Sequence, residues 1–203
     1  MNDTVDLNSF LACAVTDDAG TQALGAVVED DGALLLVVLL RHFGCVGCSE
    51  QVTLLSPRLH ELDALGVTSV FVGHGEPRHL AAFVKRHRLD EKRVRVVTNP
   101  DLSLYRAANT CHSLWSALGP RGLWGEVQGT VRGFERLAVQ GDVAQQGGAF
   151  LFARRPRPEC LLAFRSANTG DHAEPDDIVQ RAMRHRLRRA GTDPGEEGCP
   201  YFL

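Results

Sequence analysis

Leu34 to Cys48 reads LLLVVLLRHFGCVGC, and the way these residues pack decides the fold. From Ala33 to Leu40 there is no polar side chain. The run is too short to cross a bilayer, so it predicts a strand buried on both faces of a mostly parallel sheet. Phe43 and Gly44 turn the chain, and the periodic segment from Ser49 to Leu65 predicts a helix whose first turn carries Cys45 and Cys48. Unpaired backbone N–H groups and the positive end of the helix dipole collect at such a turn. They favour a thiolate, and can lower a cysteine pKa from about 8.5 to between roughly 3.5 and 7.5. The expectation is an exposed Cys45 at the helix N-terminus with Cys48 one turn inward.

The chain around this stretch has 203 residues and 44% hydrophobic content, enough to bury a full core in one domain spanning 1–203. A net charge of −3 gives no whole-chain reason to expect nucleic acid or an anionic membrane as a partner. The opening MNDTVDLNSF is acidic where a secretory leader is basic, and Phe10 to Val15 is too short for a leader's apolar region. A cytoplasmic protein is expected. Six cysteines are too few for a disulfide framework at this length. In a reducing compartment a close pair points to catalysis or metal binding.

Outward from the pair, the pattern alternates. Ala14 to Thr16 and Ala23 to Val28 are β-prone pieces around Asp17-Asp18-Ala19-Gly20, the signature of an N-terminal hairpin, and Asp30-Asp31-Gly32 makes a second turn. Val52, Leu55, Leu59 and Leu62 recur at helical spacing, with Pro57 set to kink a long helix. Val67 to Val72 predicts a strand, Pro77 suits the first position of a helix striped by Leu80, Phe83 and Val84, Val94 to Thr98 predicts a third strand, and Leu102 to Ala108 a short helix. Such alternation implies parallel crossovers. The segment 111–141 holds Trp115 and Trp124, is interrupted by Gly119, Gly122, Gly125, Gly129 and Gly133, and reads as a helical and loop insertion capping a site. Ala149 to Ala153 and Cys160 to Arg165 flank RRPRPE as a hairpin. Pro175 to Arg189 predicts a last helix with Ile178, Val179, Ala182, Met183 and Leu187 on one face, before a mobile tail over 190–203. This order fits a thioredoxin-like α/β/α sandwich with a mixed central sheet and an N-terminal hairpin.

Several short runs carry a likeness to known proteins. LLRHFGCVGC, the Gly66-Val67 entry into a strand, Gly141-Asp142 and Gln146-Gly147-Gly148 before a hairpin, and Phe164-Arg165-Ser166 with Gly170-Asp171-His172 are the matching pieces. Together, over roughly Val15 to Met183, they resemble the peroxiredoxin-like branch of the alkyl hydroperoxide reductase/thiol-specific antioxidant superfamily. That branch includes the selenoprotein U-like proteins and the prostamide/prostaglandin F synthase. The resemblance implies Cys45 as nucleophile and Cys48 as resolving thiol, acting on a peroxide or another electrophilic O–O or S–S bond. Thioredoxin or a small thiol would be the reductant, with no metal or organic cofactor and with a homodimer as one assembly. A specialised reductase of an organic endoperoxide-like substrate, or a redox-sensing interaction module on the same fold, are the competing readings. Counted from Cys45, the places where ordinary peroxiredoxins carry proline and threonine hold Val38 and His42, so the peroxide-aligning hydroxyl is missing. The place of the thioredoxin cis-proline is taken by Gln145-Gln146-Gly147-Gly148, where glycine would let backbone approach a substrate.

Other residues divide between chemistry and packing. Arg41 and His42 end the buried strand, and since side chains alternate only one should face the site. Arg41 is the better candidate, because a charge there needs a partner and a thiolate is the nearest anion. His74 and Thr98 end neighbouring strands, where open α/β sheets place ligands. A zinc site needs two further ligands, which Cys111-His112 does not supply at zinc-finger spacing, and Ser49 stands where a c-type haem motif requires histidine. A redox-inert, packed pair stays open. Cys13, Cys111, Cys160 and Cys199 read as packing or surface residues, Cys160 as core. Asp171 and His172 read as shaping the loop before the last helix, whose N-terminus Asp176 and Asp177 favour. The arginines of RAMRHRLRRAG read as a solvated face.

Overall fold

The computed structural model describes residues 5–28, 32–113 and 142–191. The first strand of the apolar run, Leu34–Leu39, lies near the middle of a seven-stranded sheet with all six residues buried. Numbered along the chain, the strands are β1 (Ala14–Asp17), β2 (Gly20–Ala23), β3 (Leu34–Leu39), β4 (Val67–Gly73), β5 (Val94–Thr98), β6 (Gly148–Ala153) and β7 (Glu159–Arg165), in spatial order β2-β1-β5-β4-β3-β6-β7. Pairing is parallel for β3 with β4 and β4 with β5, and antiparallel for β3 with β6, β6 with β7, β1 with β2 and β1 with β5. The sheet is therefore mixed, as the order of elements implied, and parallel only in its three central strands, fewer than the apolar run by itself suggested. Three central strands obey the crossover rule, and a hairpin pairs onto each side of them.

Alternation along β3 explains its lack of polar side chains. Leu34, Leu36 and Val38 face one buried cluster, while Leu35, Val37 and Leu39 face another containing Phe10, Tyr105, Phe150 and Phe152. Each fully buried leucine or valine contributes about 1.5–3 kcal/mol relative to exposure. A charge at any of these positions would have no aqueous side to occupy.

The helices are α1 (Leu7–Leu11), α2 (Leu24–Val27), α3 (Val46–Leu55), α4 (Leu59–Ala64), α5 (Leu80–His87), α6 (Ser103–Ala107) and α7 (Pro175–Arg189). Three differ from the sequence expectation. Residues 24–27, read above as strand, form α2. A helical turn puts Leu24 and Val28 on one face, and both are buried. Gly25 then brings α2 close to α1, since a Cβ there would stand 3.2 Å from Leu11 O. The bent helix is instead two, because Pro57 has no N–H to continue the ladder. A 3₁₀ turn, Ser56–Arg58, separates α3 from α4. On α7 the buried stripe is Ile178, Val179 and Ala182, whereas Met183 and Leu187 are 47% and 38% exposed. The C-terminal half of that helix is held by arginines, Arg186 donating to Ala64 O and Arg189 to Arg155 O. Pro175 and the pair Asp176 and Asp177 occupy its first turn as expected.

The fold is thioredoxin-like, and it gathers the C-terminal ends of β3, β4 and β5 along one sheet edge. The Asp30-Asp31 turn, the insertion beyond Ser113 and the tail from 192 lie outside the described residues.

Candidate active site

Helix α3 begins where β3 delivers the chain. Cys45 is its N-cap, in extended backbone conformation, and Cys48 sits in its first turn. Cys45 N donates to His42 O at 3.1 Å and Ser49 N to Cys45 O at 3.1 Å, which closes the turn between strand and helix. Contrary to the expectation of an exposed nucleophile, both cysteines are buried, each 4% accessible. Phe43 and Phe83 pack together in the same core cluster at a ring separation of 5.0 Å, and residues from Ser166 to His172 line the cavity against the cysteines.

Arg41 contacts both sulfurs. Its backbone N–H donates to Cys48 Sγ at 3.1 Å, and its guanidinium Nη1 lies 3.7 Å from Cys45 Sγ. The remaining donors are fixed by loop acceptors: Nε by Gln145 O at 3.3 Å, Nη2 by Val143 O at 2.6 Å, and Nη1 by the Thr169 hydroxyl. A cation so held is a fixed feature of the site. The Cys48 thiol, hydrogen-bonded to Cys45, pulls the Cys45 pKa down to about 6 against the opposing effect of burial, with Arg41 and the N–H groups of Cys48 and Gly47 adding to it. Cys48 shifts the other way, raised by burial and by the neighbouring Cys45 sulfur. The pair is thus poised as a thiolate at Cys45 beside a protonated thiol at Cys48.

Cys45, Cys48 and Arg41 share a cavity with Gly147, Ser166 and His172, of about 10 Å³, room for roughly one water molecule. A groove of about 610 Å³ along Leu80, Val84 and Val94 includes none of them. His42, His74 and Thr98 do not line this cavity either. His42 is buried. Thr98 Oγ1 donates to Gly75 O at 2.8 Å. His74 Nδ1 accepts from Asp142 N at 3.3 Å and its ring stands edge-on to Tyr105, with burial lowering its pKa to about 4.

The glycine pair differs from expectation in what it approaches. A Cβ at Gly147 would overlap Leu39 O, and one at Gly148 would overlap Phe164 O. Their lack of side chains lets β6 close onto β3 and β7, and only Gly147 also borders the cavity. Among the other cysteines, Cys13 donates to Ser9 O and Cys160 to Leu162 O, both half-buried, so Cys160 is less enclosed than a core residue. Cys111 is exposed, and Cys199 lies outside the described residues. Among the described residues no three His, Cys, Asp or Glu side chains converge as a metal site.

Sequence reasoning missed Thr169, the Val143 and Gln145 carbonyls, and Tyr105, whose hydroxyl reaches Leu40 O at 2.5 Å and Val72 O at 3.1 Å. The Ser-Ala-Asn-Thr-Gly-Asp-His run was visible as a polar loop, but nothing periodic marks which of its residues turns toward Arg41.

A thioredoxin-like fold with a buried cysteine pair at the start of α3 defines a class of thiol-bearing α/β proteins. Residues 54–168, more than half of the chain, match the model of the AhpC/TSA antioxidant enzyme family, and the chain belongs to that family. The match begins downstream of Cys48. A thioredoxin-like protein, AAED1, chloroplastic, of Arabidopsis thaliana is 24% identical over 152 residues, 71% of this chain and 60% of that one, so the chain spans well under the full length of this relative. Among solved structures, the bacterioferritin comigratory protein of Xanthomonas campestris superposes with a TM-score of 0.60 at 15% identity, covering 90% of this chain and 96% of that one. Peroxidoxin BcpB of Mycobacterium tuberculosis gives 0.55 at 13% identity, with 84% and 90% covered. Among the described residues no helix is long and apolar enough to cross a membrane.

Proposed function

We propose that this chain is a thiol peroxidase in which Cys45 is the nucleophile, Cys48 the resolving thiol and Arg41 the electrostatic clamp. The observation that carries the reading is Arg41 contacting both sulfurs, with Cys45 shifted to about 6 and Cys48 held protonated. The Cys45 thiolate attacks one oxygen of a hydroperoxide. An S–O bond forms, the O–O bond breaks, and the leaving oxygen departs as alcohol or water after taking a proton. Cys45 is oxidised to the sulfenic acid and the peroxide is reduced. Cys48 then attacks that sulfur, the S–S bond forms, the S–O bond breaks and water leaves. Thioredoxin or a small thiol returns the disulfide to two thiols. The cavity favours a small hydroperoxide, and an organic endoperoxide-like substrate requires the loop Ser166 to His172 to move aside. No organic cofactor or metal enters the scheme.

Burial of both sulfurs gives the sensor reading its one specific support, because a closed site is slow to be reduced by a protein partner. Turnover decides. Purified full-length chain with hydrogen peroxide, thioredoxin, thioredoxin reductase and NADPH should consume NADPH continuously, Cys45→Ser should not, and peptide mass spectrometry should find a Cys45–Cys48 disulfide. One round of oxidation without sustained turnover supports the sensor. A disulfide from Cys45 to Cys111 or Cys199 overturns the role of Cys48. A reducing compartment such as the cytoplasm belongs to the same proposal, although the Arabidopsis relative is chloroplastic. So does a homodimer: Leu54, Met183 and Leu187 are the exposed large apolar side chains among the described residues, and ultracentrifugation reads the mass directly.

A further inference from the structure

His172 reads in the sequence as a loop residue, yet the fold brings it to the cysteine cavity. It lines the same cavity as Cys45, Cys48 and Arg41. A carbon added at Gly47, between the two cysteines, would stand 3.5 Å from His172 Cε1, so the imidazole packs directly on the first turn of α3. Its loop is well fixed. Ser166 N donates to Gly147 O at 3.1 Å, Ala167 N to the Asp171 carboxylate at 2.7 Å, and Thr169 receives Arg41. Nε2 of His172 is buried and has no hydrogen-bond partner, and the backbone of Asp171 is the ring's other polar neighbour. A buried ring nitrogen without a partner carries a cost in free energy, and one on a residue that shares its cavity with two thiols has an evident use.

Resting on the peroxidase reading above, we propose that His172 is the base of the resolving step: its Nε2 takes the proton of Cys48 across the shared cavity and returns it to the departing hydroxide. The step balances. The Cys48 S–H bond breaks, its sulfur forms the S–S bond with Cys45, the Cys45 S–O bond breaks, and hydroxide leaves as water with the proton His172 had held. The oxidant is the peroxide already consumed in making the sulfenic acid. Cys48 needs such help because burial holds its proton on. Burial also keeps the imidazole neutral at pH 7, against the opposing pull of Glu50 on α3 and of Asp171 and Glu174 on its own loop. Arg41 also faces the cavity as a fixed cation.

The test is single-turnover oxidation of the reduced full-length chain by one equivalent of hydrogen peroxide between pH 4.5 and 8. Dimedone traps the sulfenic acid and mass spectrometry counts the Cys45–Cys48 disulfide over time. In the unmutated chain, the conversion of the sulfenic acid to the disulfide, followed apart from the Cys45 oxidation that itself titrates near 6, should accelerate with pH through an inflection below 6.5. In His172→Gln, Cys45 oxidation should proceed at the unmutated rate while the sulfenic acid accumulates. Disulfide formation should then be slower by roughly 10²-fold, the usual scale of general acid–base assistance, and the low-pH inflection should vanish. Equal disulfide rates in the two proteins overturn the assignment, and so does equal slowing of both steps, which marks a packing residue. Should His172→Gln fail to fold, His172→Ala with imidazole in the buffer decides: restored resolution supports the base, and none overturns it. An unmutated chain that forms no Cys45–Cys48 disulfide fails the peroxidase reading itself, and that arm is read first.

Discussion

Arg41 holds the site together because one residue supplies two kinds of donor, a backbone N–H to Cys48 and a guanidinium to Cys45. Its place at the end of an apolar strand was legible, since a lone charge there demands a partner. The acceptors that aim it were not, because Thr169 is 128 residues away in sequence and two others are backbone carbonyls that any residue could offer. The hydrogen bond from Cys48 is the largest influence lowering the Cys45 pKa, which gives a clean contrast. Cys48→Ala removes the donor and should raise that pKa by at least about one unit, whereas Cys48→Ser keeps a donor and should leave it nearly in place. One unit corresponds to about 1.4 kcal/mol. The pH dependence of iodoacetamide labelling at Cys45 reads the shift, and equal inflections in the two variants would sink this account. Arg41→Met should raise the same pKa and also free the Val143 and Gln145 carbonyls. Its loss should therefore appear in stability as well, at about 2 kcal/mol or more in urea denaturation.

At the scale of elements, runs and periods were readable and breaks were not. β3, β4 and β5 follow from apolar runs of the right length, and the β6–β7 hairpin from the proline-rich turn between them. Helix α2 was misread because Ala23 to Val28 is short and β-prone, and only tertiary burial of Leu24 and Val28 on one face selects the helix. The glycines before β6 were visible but their purpose was not, since close approach to Leu39 O is a fact of strand pairing and not of local sequence. That difference can be measured. Gly147→Ala forces a methyl into a backbone carbonyl and should cost about 2–3 kcal/mol, the upper range for overpacking. Gly66→Ala, at φ +72° with nothing within 4 Å, should cost only the left-handed strain of about 1 kcal/mol. Urea midpoints of the two variants decide, and the reverse order would mean that β6 yields easily to the added carbon.

Over the whole molecule, the buried histidines and Cys45 make stability depend on pH with one sign. His74 and His87 are both pushed down to about 4 from 6.5, first by burial, so between these values the unfolded chain binds protons that the folded chain refuses. Unfolding is then favoured as pH falls, and the stability present above pH 6.5 is lost progressively on the way to pH 4. Cys45 extends the same slope upward, because its thiolate forms near pH 6 in the folded state and near 9 in the unfolded one. The carboxylates held low, Asp101 and Asp142, add their loss only at still lower pH. His74 should dominate, being 3% exposed and accepting at Nδ1 from Asp142 N, a bond that a proton on that nitrogen abolishes. Its shift alone amounts to about 3 kcal/mol as an upper bound. Urea unfolding at pH 7, 5.5 and 4.5 should show a steady fall in the free energy of unfolding. In His74→Gln, which has no proton to gain, the slope should be shallower by up to about 1.4 kcal/mol per pH unit. Identical slopes in the two proteins would show that His74 is reached by solvent and titrates at its ordinary value. The packing of β4 against Tyr105 would then have to be looser than the structure describes.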